Sequence, residues 1–194
     1  MAREAYSRRF DDALALATDA FRRKSRKETT IPYETHLLAV CALVGEHGGD
    51  EDQMIAAILH DYLEDIEGTT AAELEGRFGE RVANLVVALS DATSRPKPPW
   101  RPRKEAYLAA LRHEPHDVKL ISAADKWHNC RSIIRDHRVM GDRIFERFSV
   151  EKEQTLWYFR AVIDALAEGW NHAILDELRA AVAELHEHSG VQLG

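Results

Sequence analysis

Cysteine is nearly absent from this sequence: 194 residues carry two, Cys41 and Cys130. Both stand in largely apolar, helix-like surroundings, and neither has the CxxC spacing of a zinc or redox site, which excludes a disulfide scaffold and a cysteine-rich metal fold. They read as reduced, buried small hydrophobes of a cytoplasmic protein. No apolar run approaches the roughly 20 residues that cross a bilayer. The charged start, MAREAYSRRF, is not followed by the unbroken apolar stretch of a secretory signal. Positive charge is in the minority, 26 Lys and Arg against 33 Asp and Glu, for a formal net charge of −7. That balance argues against general nucleic-acid binding, which needs a basic face, and leaves any anionic small molecule to be held by local basic clusters. Alternating runs of β-branched residues bounded by turns are also missing, so nothing reads as a strand.

What is present is helical periodicity. The length suits one domain whose core needs neither disulfides nor a structural metal, and the expectation is an all-α, single-domain bundle over residues 1–194. Tyr6, Phe10, Ala13, Leu14, Ala17 and Phe21 mark a first amphipathic helix, which ends in the basic stretch Arg22 to Lys27. After the loop ETTIP, Pro32 opens a helix carrying His36, Leu37, Val40, Leu43 and Val44, stopped by Gly48-Gly49. The next helix is expected from about Glu51 to Ile66. Thr70 with Glu73 forms a capping-box pattern for a short helix ending near Phe78-Gly79, and Val82, Leu85, Val86 and Leu89 mark another. Prolines at 96, 98, 99 and 102 exclude an ordinary helix between Ser94 and Pro102, the clearest loop in the chain. Helices resume at Tyr107, Leu108 and Leu111, then over Val118 to Arg135, Lys152 to Glu168 and Asn171 to His186, with HSGVQLG as a loose tail. The apolar series Leu156, Phe159, Ile163, Leu166 and Trp170 is either core or a face packed across a symmetry axis, so monomer and homodimer both stay open.

The chemistry concentrates in the run His60-Asp61-Tyr62-Leu63-Glu64-Asp65, with His36 in PYETHLLAV and Asp125 in ISAADKWHN. A divalent ion that activates water on a phosphorus ester takes neutral imidazole and carboxylate ligands and leaves positions open, and two His with two Asp supply that mixture. On one continuous helix His60 and Asp61 share a broad face, with Glu64 and Asp65 a turn further along. Met54, Ile55, Ile58 and Leu59 bury the same helix and His60 continues their stripe. The alternative is a solvated face with Asp61, Glu64 and Asp65 merely exposed. Two spare carboxylates side by side raise each other's proton affinity, which favours a base near neutral pH.

The order RK, PYxxH, HDxxED, FG and ADxxHN resembles the hydrolase domain of RelA/SpoT homologues, and more closely the stand-alone small alarmone hydrolases that lack a synthetase domain, over roughly residues 20–135. The resemblance implies an all-α HD fold binding one Mn²⁺. It implies removal of the 3′-pyrophosphate from guanosine tetra- or pentaphosphate, a reaction of the stringent response. By the same resemblance His36, His60, Asp61 and Asp125 are the metal ligands, Glu64 and Asp65 activate or orient the attacking water, and Asn129 contacts the nucleotide. In the family an Arg-Lys pair precedes the first ligand His, its arginine stacking on the base and its lysine holding the nucleotide. Two such pairs occur here, Arg23-Lys24 and Arg26-Lys27, and spacing to His36 favours the second.

A further basic cluster, Lys97, Arg101, Arg103 and Lys104, lies in and just after the proline-rich loop and suits the phosphates of a highly charged substrate. Trp100 beside it could cover a base. Tyr33 and Tyr107 read as core or as base-stacking residues, and His128 as a core histidine or a further ligand. Leu37 stands where a proline commonly follows the first ligand His in the long enzymes, and Trp127 where a smaller aliphatic residue is usual. Both departures bear on the choice between guanosine and adenosine alarmones. Two competing readings keep the fold: an HD phosphohydrolase acting on the 2′-phosphate of NADPH or on a nucleoside monophosphate, and a nucleotide-sensing or antitoxin module. Intact ligands do not separate the two enzyme readings, whose specificity lies in base and ribose contacts, but both ED carboxylates and an Arg-Lys pair favour the alarmone. Retention of every ligand and of the ED pair argues against a non-catalytic module.

Overall fold

The computed structural model describes residues 5–92 and 96–191. These form α-helices and one 3-10 segment, with no strand among the described residues, so the chain is all-α as its periodicity predicts. It packs as two compact units, Met1–Lys97 and Pro98–Gly194.

The first unit contains α1 (Arg8–Phe21), α2 (Glu34–Glu46), α3 (Glu51–Leu59), α4 (Tyr62–Asp65), α5 (Ala71–Phe78) and α6 (Glu80–Leu89). Helix α3 is its axis and packs against α1, α2 and α6. Ile55 to Leu59 are each no more than 1% exposed. Such burial on every side marks a core helix, and Ile55, Ile58 and Leu59 each contribute roughly 1.5–3 kcal/mol. Its start is fixed by a reciprocal cap, in which Asp50 accepts from the Gln53 amide and Gln53 from the Asp50 amide, each at 3.0 Å, worth about 1 kcal/mol. Thr70 caps α5, accepting from the Glu73 amide at 3.2 Å, but the expected box is half-formed, because the Glu73 carboxylate instead accepts from the Tyr62 hydroxyl at 3.1 Å.

Two expectations in this unit need correction. The helix from Glu51 to Ile66 is not continuous. It ends at Leu59, and Asp61 (φ −95°, ψ 2°) leaves the helical region before the four-residue α4 begins. Asp61 serves as the first residue of a new turn, its carbonyl accepting from the Asp65 amide at 2.9 Å, so it stands between two helices and not inside one. Nor does Pro32 open α2, which starts at Glu34. The chain instead doubles back over residues 24–33: the Arg26 amide donates to the Ile31 carbonyl at 2.8 Å and the Tyr33 amide to the Lys24 carbonyl at 3.1 Å. Glu28 sits at φ 54° in that turn.

The second unit contains α7 (Trp100–Leu111), α8 (His116–Met140), a 3-10 segment (Gly141–Arg147), α9 (Lys152–Ala167) and α10 (Ala173–His188). Helix α8 is the axis here, flanked by α9, α10 and the 3-10 segment, and it runs five residues beyond the expected Arg135. Helix α7 corrects the proline argument. Pro102 lies in its first turn, where a backbone N–H has no intrahelical acceptor and its loss costs little. Arg101, Arg103 and Lys104 are therefore helical. The C-terminal stripe is core within this unit, with Leu156, Phe159, Leu166 and Trp170 buried. The tail is only partly outside the described residues: Ser189 is buried, and its carbonyl accepts from Lys152 Nζ at 2.5 Å. Cys41 and Cys130 are buried and free, and burial pushes their thiols up to about 11 and about 12.

The turn between α2 and α3 depends on two glycines. Gly48 adopts φ 84°, and a Cβ at Gly49 would lie 2.4 Å from Val44 Cγ1 and 2.8 Å from the Val44 carbonyl oxygen. Gly49→Ala should therefore destabilise the protein by about 1–3 kcal/mol. Gly76→Ala, on the exposed side of α5 with open space around it, should stabilise it by about 0.5–1 kcal/mol. Urea denaturation midpoints of the two variants check both the signs and the contrast.

Candidate metal centre

Three ligand-type side chains of the first unit converge. His36 sits in the first turn of α2, His60 just past the last turn of α3, and Asp61 at the break that follows. The two histidines are buried, their rings 5.1 Å apart and nearly perpendicular. His60 Nδ1 lies 2.7 Å from the Ala57 carbonyl oxygen. A carbonyl only accepts, so Nδ1 carries the proton and, in the neutral ring, Nε2 presents a lone pair. That nitrogen is 3.0 Å from Asp61 Oδ2, and His36 Nε2 is 3.8 Å from the same oxygen. Two acceptors at such a distance repel unless a cation lies with them, either a proton on the imidazole or a metal ion. The donor set, two imidazoles with a carboxylate, fits a divalent transition ion.

Tyr33 closes this group from the other side. Its hydroxyl donates to Asp61 Oδ2 at 2.5 Å. Its ring stacks on Phe21 at 5.2 Å and meets His36 edge-on at 5.6 Å. Burial, followed by the Asp61 carboxylate, pushes the phenol's pKa far upward, so the hydroxyl keeps its proton. Tyr33, expected to be either core or base-stacking, thus has a polar role at the Asp61 carboxylate. Arg26 lies over its ring, with the guanidinium carbon 5.6 Å from the ring centre.

Glu64 and Asp65, on α4, are half-buried. Glu64 Oε1 accepts from Lys97 Nζ at 2.7 Å, and the same ammonium lies 3.7 Å from Asp65. Lys24 Nζ donates to the Asp65 carbonyl at 2.5 Å and lies 3.3 Å from its carboxylate. The Glu64 pKa is raised, chiefly by burial and then by Asp91, with a further push from Asp61 and a counter-pull from Lys97. Adjacency predicts that Glu64 and Asp65 raise each other, but the acidic neighbour that weighs most on Glu64 is Asp91. The basic pairs also separate differently from expectation. Lys24 and Arg26, one from each pair, are half-buried beside the acidic groups and Tyr33, while Arg23 and Lys27 are exposed.

In the second unit Asp125 stands in the middle of α8, 7% exposed. Asn129, one turn on, donates to its Oδ1 at 2.5 Å, and Lys126 pairs with its Oδ2. Burial works to lower the Lys126 pKa, but Asp125 and the Tyr158 and Tyr107 phenols outweigh it and the ammonium is held firmly charged. Tyr107 is a core residue whose hydroxyl shares a 3.0 Å hydrogen bond with Ser122. Trp100 belongs to an aromatic group with Trp157 and Tyr158. Arg101 lies flat over Trp157 at 3.4 Å and Lys104 over Tyr158 at 4.8 Å, while Arg103 is half-buried. Sequence reasoning missed Lys126 and Asp91 and set Lys24 aside. The ADK adjacency was the one available signal for Lys126, and neighbours one residue apart are not ordinarily read as a helical pair.

The HD domain family matches residues 13–148, a stretch that runs through both units. The guanosine-3′,5′-bis(diphosphate) 3′-pyrophosphohydrolase MESH1 of Xenopus tropicalis is 36% identical over 119 residues, 59% of this chain and 62% of its own length. This chain thus spans just under two thirds of that relative. The enzyme of the same name from Danio rerio is 30% identical over 155 residues, 79% of this chain and 80% of its own. Among solved structures, a metazoan ortholog of SpoT described as hydrolysing ppGpp superposes with a TM-score of 0.76 at 24% identity, covering 99% of this chain and 100% of that one. At that identity the likeness concerns the fold.

The raised Glu64 pKa carries a stability consequence. A carboxyl that holds its proton more tightly folded than unfolded makes stability fall as pH rises from the ordinary glutamate range through the raised value. Glu64→Gln removes that loss. In metal-free protein its thermal midpoint should exceed that of the parent at pH 7.5, and the difference should close below about pH 4, where both states are protonated. Calorimetry across that range in chelator reads the effect.

Proposed function

The chain belongs to the HD domain family, and we propose that it is a metal-dependent pyrophosphohydrolase acting on the 3′-pyrophosphate of (p)ppGpp-type alarmones, guanosine or adenosine. The products are nucleoside di- or triphosphate and pyrophosphate. The observation that carries this reading is the convergence of His36, His60 and Asp61 on one point, in the same unit as a half-buried glutamate of raised pKa. The names of the relatives supply the substrate class. The HD match continues across the boundary at 97/98, which supports treating the whole chain as one hydrolase domain.

His36, His60, Asp61 and, from the ADxxHN motif, Asp125 hold one Mn²⁺. When bound, such an ion lowers the pKa of water and neutralises charge on phosphoryl oxygens. Glu64 accepts the proton of the attacking water, a task its raised pKa suits at neutral pH, and Asp65 orients that water. The water oxygen joins phosphorus, and the ribose 3′-oxygen leaves and takes up a proton. Arg26 and Lys27 hold the base and ribose side of the nucleotide, Asn129 contacts it beside Asp125, and Lys97, Arg103 and Lys104 meet the phosphates. The partner is a small nucleotide, and the setting is the stringent response in the cytoplasm. Buried free thiols support that compartment. Among the described residues no helix is long and apolar enough to cross a membrane.

Metal-stripped protein incubated with guanosine tetraphosphate or its adenosine counterpart should release nucleoside diphosphate and pyrophosphate only when Mn²⁺ is restored. Anion-exchange chromatography resolves the products, and the ratio of the two rates gives the base preference. Release of inorganic phosphate alone, or no product from either nucleotide, would overturn the reading. Asp61→Ala should lose bound metal and activity together, whereas Glu64→Ala should keep the metal and lose turnover by about 10²–10⁴-fold. Arg26→Ala should raise KM more than Arg23→Ala does, and the reverse order in steady-state kinetics would reassign the basic pair.

A further inference from the structure

We infer that Tyr33 is a positioning residue for the metal centre, holding the Asp61 carboxylate in ligating geometry through its hydroxyl. The inference rests on Asp61 being a metal ligand, and it assigns a role to a side chain outside the ligand and water-activating sets.

The geometry of Asp61 creates the need. The residue lies at the break between α3 and α4, away from helical φ and ψ, so the regular packing of a helix does not fix its side-chain direction. Its carboxylate is 20% exposed, whereas the side chains of His36 and His60 are 1% and 4% exposed. The imidazoles are therefore locked by burial and by the bond from His60 to Ala57. The carboxylate alone has solvent to turn toward.

Tyr33 restrains that carboxylate. Its hydroxyl donates to Oδ2, the oxygen that faces both imidazole Nε2 atoms. A carboxylate oxygen has two lone-pair directions, so one bond from the phenol leaves the second for a cation beside the histidines. A phenol donating to a carboxylate forms a short, charge-assisted bond, as the 2.5 Å separation shows. The donor is itself immobile. Its ring lies against Phe21 at the end of α1 and against His36 on α2, and its amide is tied to the Lys24 carbonyl. One side chain thus joins the ends of three helices at the ligand atom. Hydrogen bonds of this kind to a ligating side chain are worth about 10- to 100-fold in metal affinity.

Tyr33→Phe deletes the hydroxyl and keeps the ring. The inference expects Mn²⁺ affinity of the metal-free protein, read by the paramagnetic resonance signal of free Mn²⁺, to fall about 10- to 100-fold, with the thermal midpoint nearly unchanged. At saturating Mn²⁺ the nucleotide KM should stay close to that of the parent. Tyr33→Leu removes the ring as well. It should show the same affinity loss together with a lower thermal midpoint, so affinity that declines in step with stability across the two variants would overturn the positioning role. So would parental affinity in Tyr33→Phe. Asp61→Ala separates this inference from the reading beneath it. If that variant loses Mn²⁺ while Tyr33→Phe retains it, Tyr33 alone has been misassigned; if Asp61→Ala also binds as the parent does, the metal assignment has failed and the inference falls with it.

Discussion

The first unit is organised around a contact that is unfavourable on its own terms. Asp61 Oδ2 lies 3.0 Å from a His60 nitrogen whose ring has already spent its other proton on Ala57, and His36 points a third donor atom at the same oxygen. Water would relieve this repulsion at the surface, but here both imidazoles are buried, His60 at the end of α3 and His36 in the first turn of α2. The arrangement holds because the surrounding core over-determines it: a capped α3, a glycine turn that brings α2 back alongside, and a tyrosine that pins the carboxylate. A cation beside that oxygen, whether a proton on the imidazole or a metal ion, would relieve the repulsion.

Three of the carboxylates assigned to the proposed chemistry each have a lysine beside them. Lys97 bonds Glu64, Lys24 flanks Asp65, and in the second unit Lys126 pairs with Asp125. For a chain of net charge −7 these local pairings matter. They let acidic groups collect in low-dielectric surroundings without unbalanced repulsion, and they place ammonium groups where an anionic nucleotide would otherwise meet only carboxylates. Glu64 shows that the balance is incomplete: burial and Asp91 outweigh Lys97 and leave it a stronger base than an ordinary glutamate.

Local signals in the sequence were reliable where the physics is local. The Thr70 cap, the Gly48-Gly49 stop and the buried stripe through Ile58 and Leu59 appear where the pattern places them, because caps and periodicity depend on residues within one or two turns. The motif order likewise identified the residues that converge in the first unit. What the sequence concealed is tertiary. Nothing around Asp61 announces that a tyrosine 28 residues earlier will claim its carboxylate, so a continuous helix was the natural expectation. Asp91 acts on Glu64 across a similar separation. Pro102 misled for a different reason, since a proline ends a helix only when its missing N–H would have been used, and in a first turn it is not. The two Arg-Lys pairs could not be resolved by spacing because the loop returns on itself and presents Lys24 and Arg26, which belong to different pairs.

The break between α3 and α4 also decides which parts of the chain the site depends on. Asp61 lies between the two helices, and its carboxylate is held beside the imidazoles by the bond from Tyr33. The tyrosine ring in turn leans on Phe21 at the end of α1, and its amide on the Lys24 carbonyl. A substitution that loosens the end of α1 or the turn before α2 therefore reaches Asp61 through Tyr33 without touching α3, and a segment that supplies none of the three converging side chains still sets their geometry.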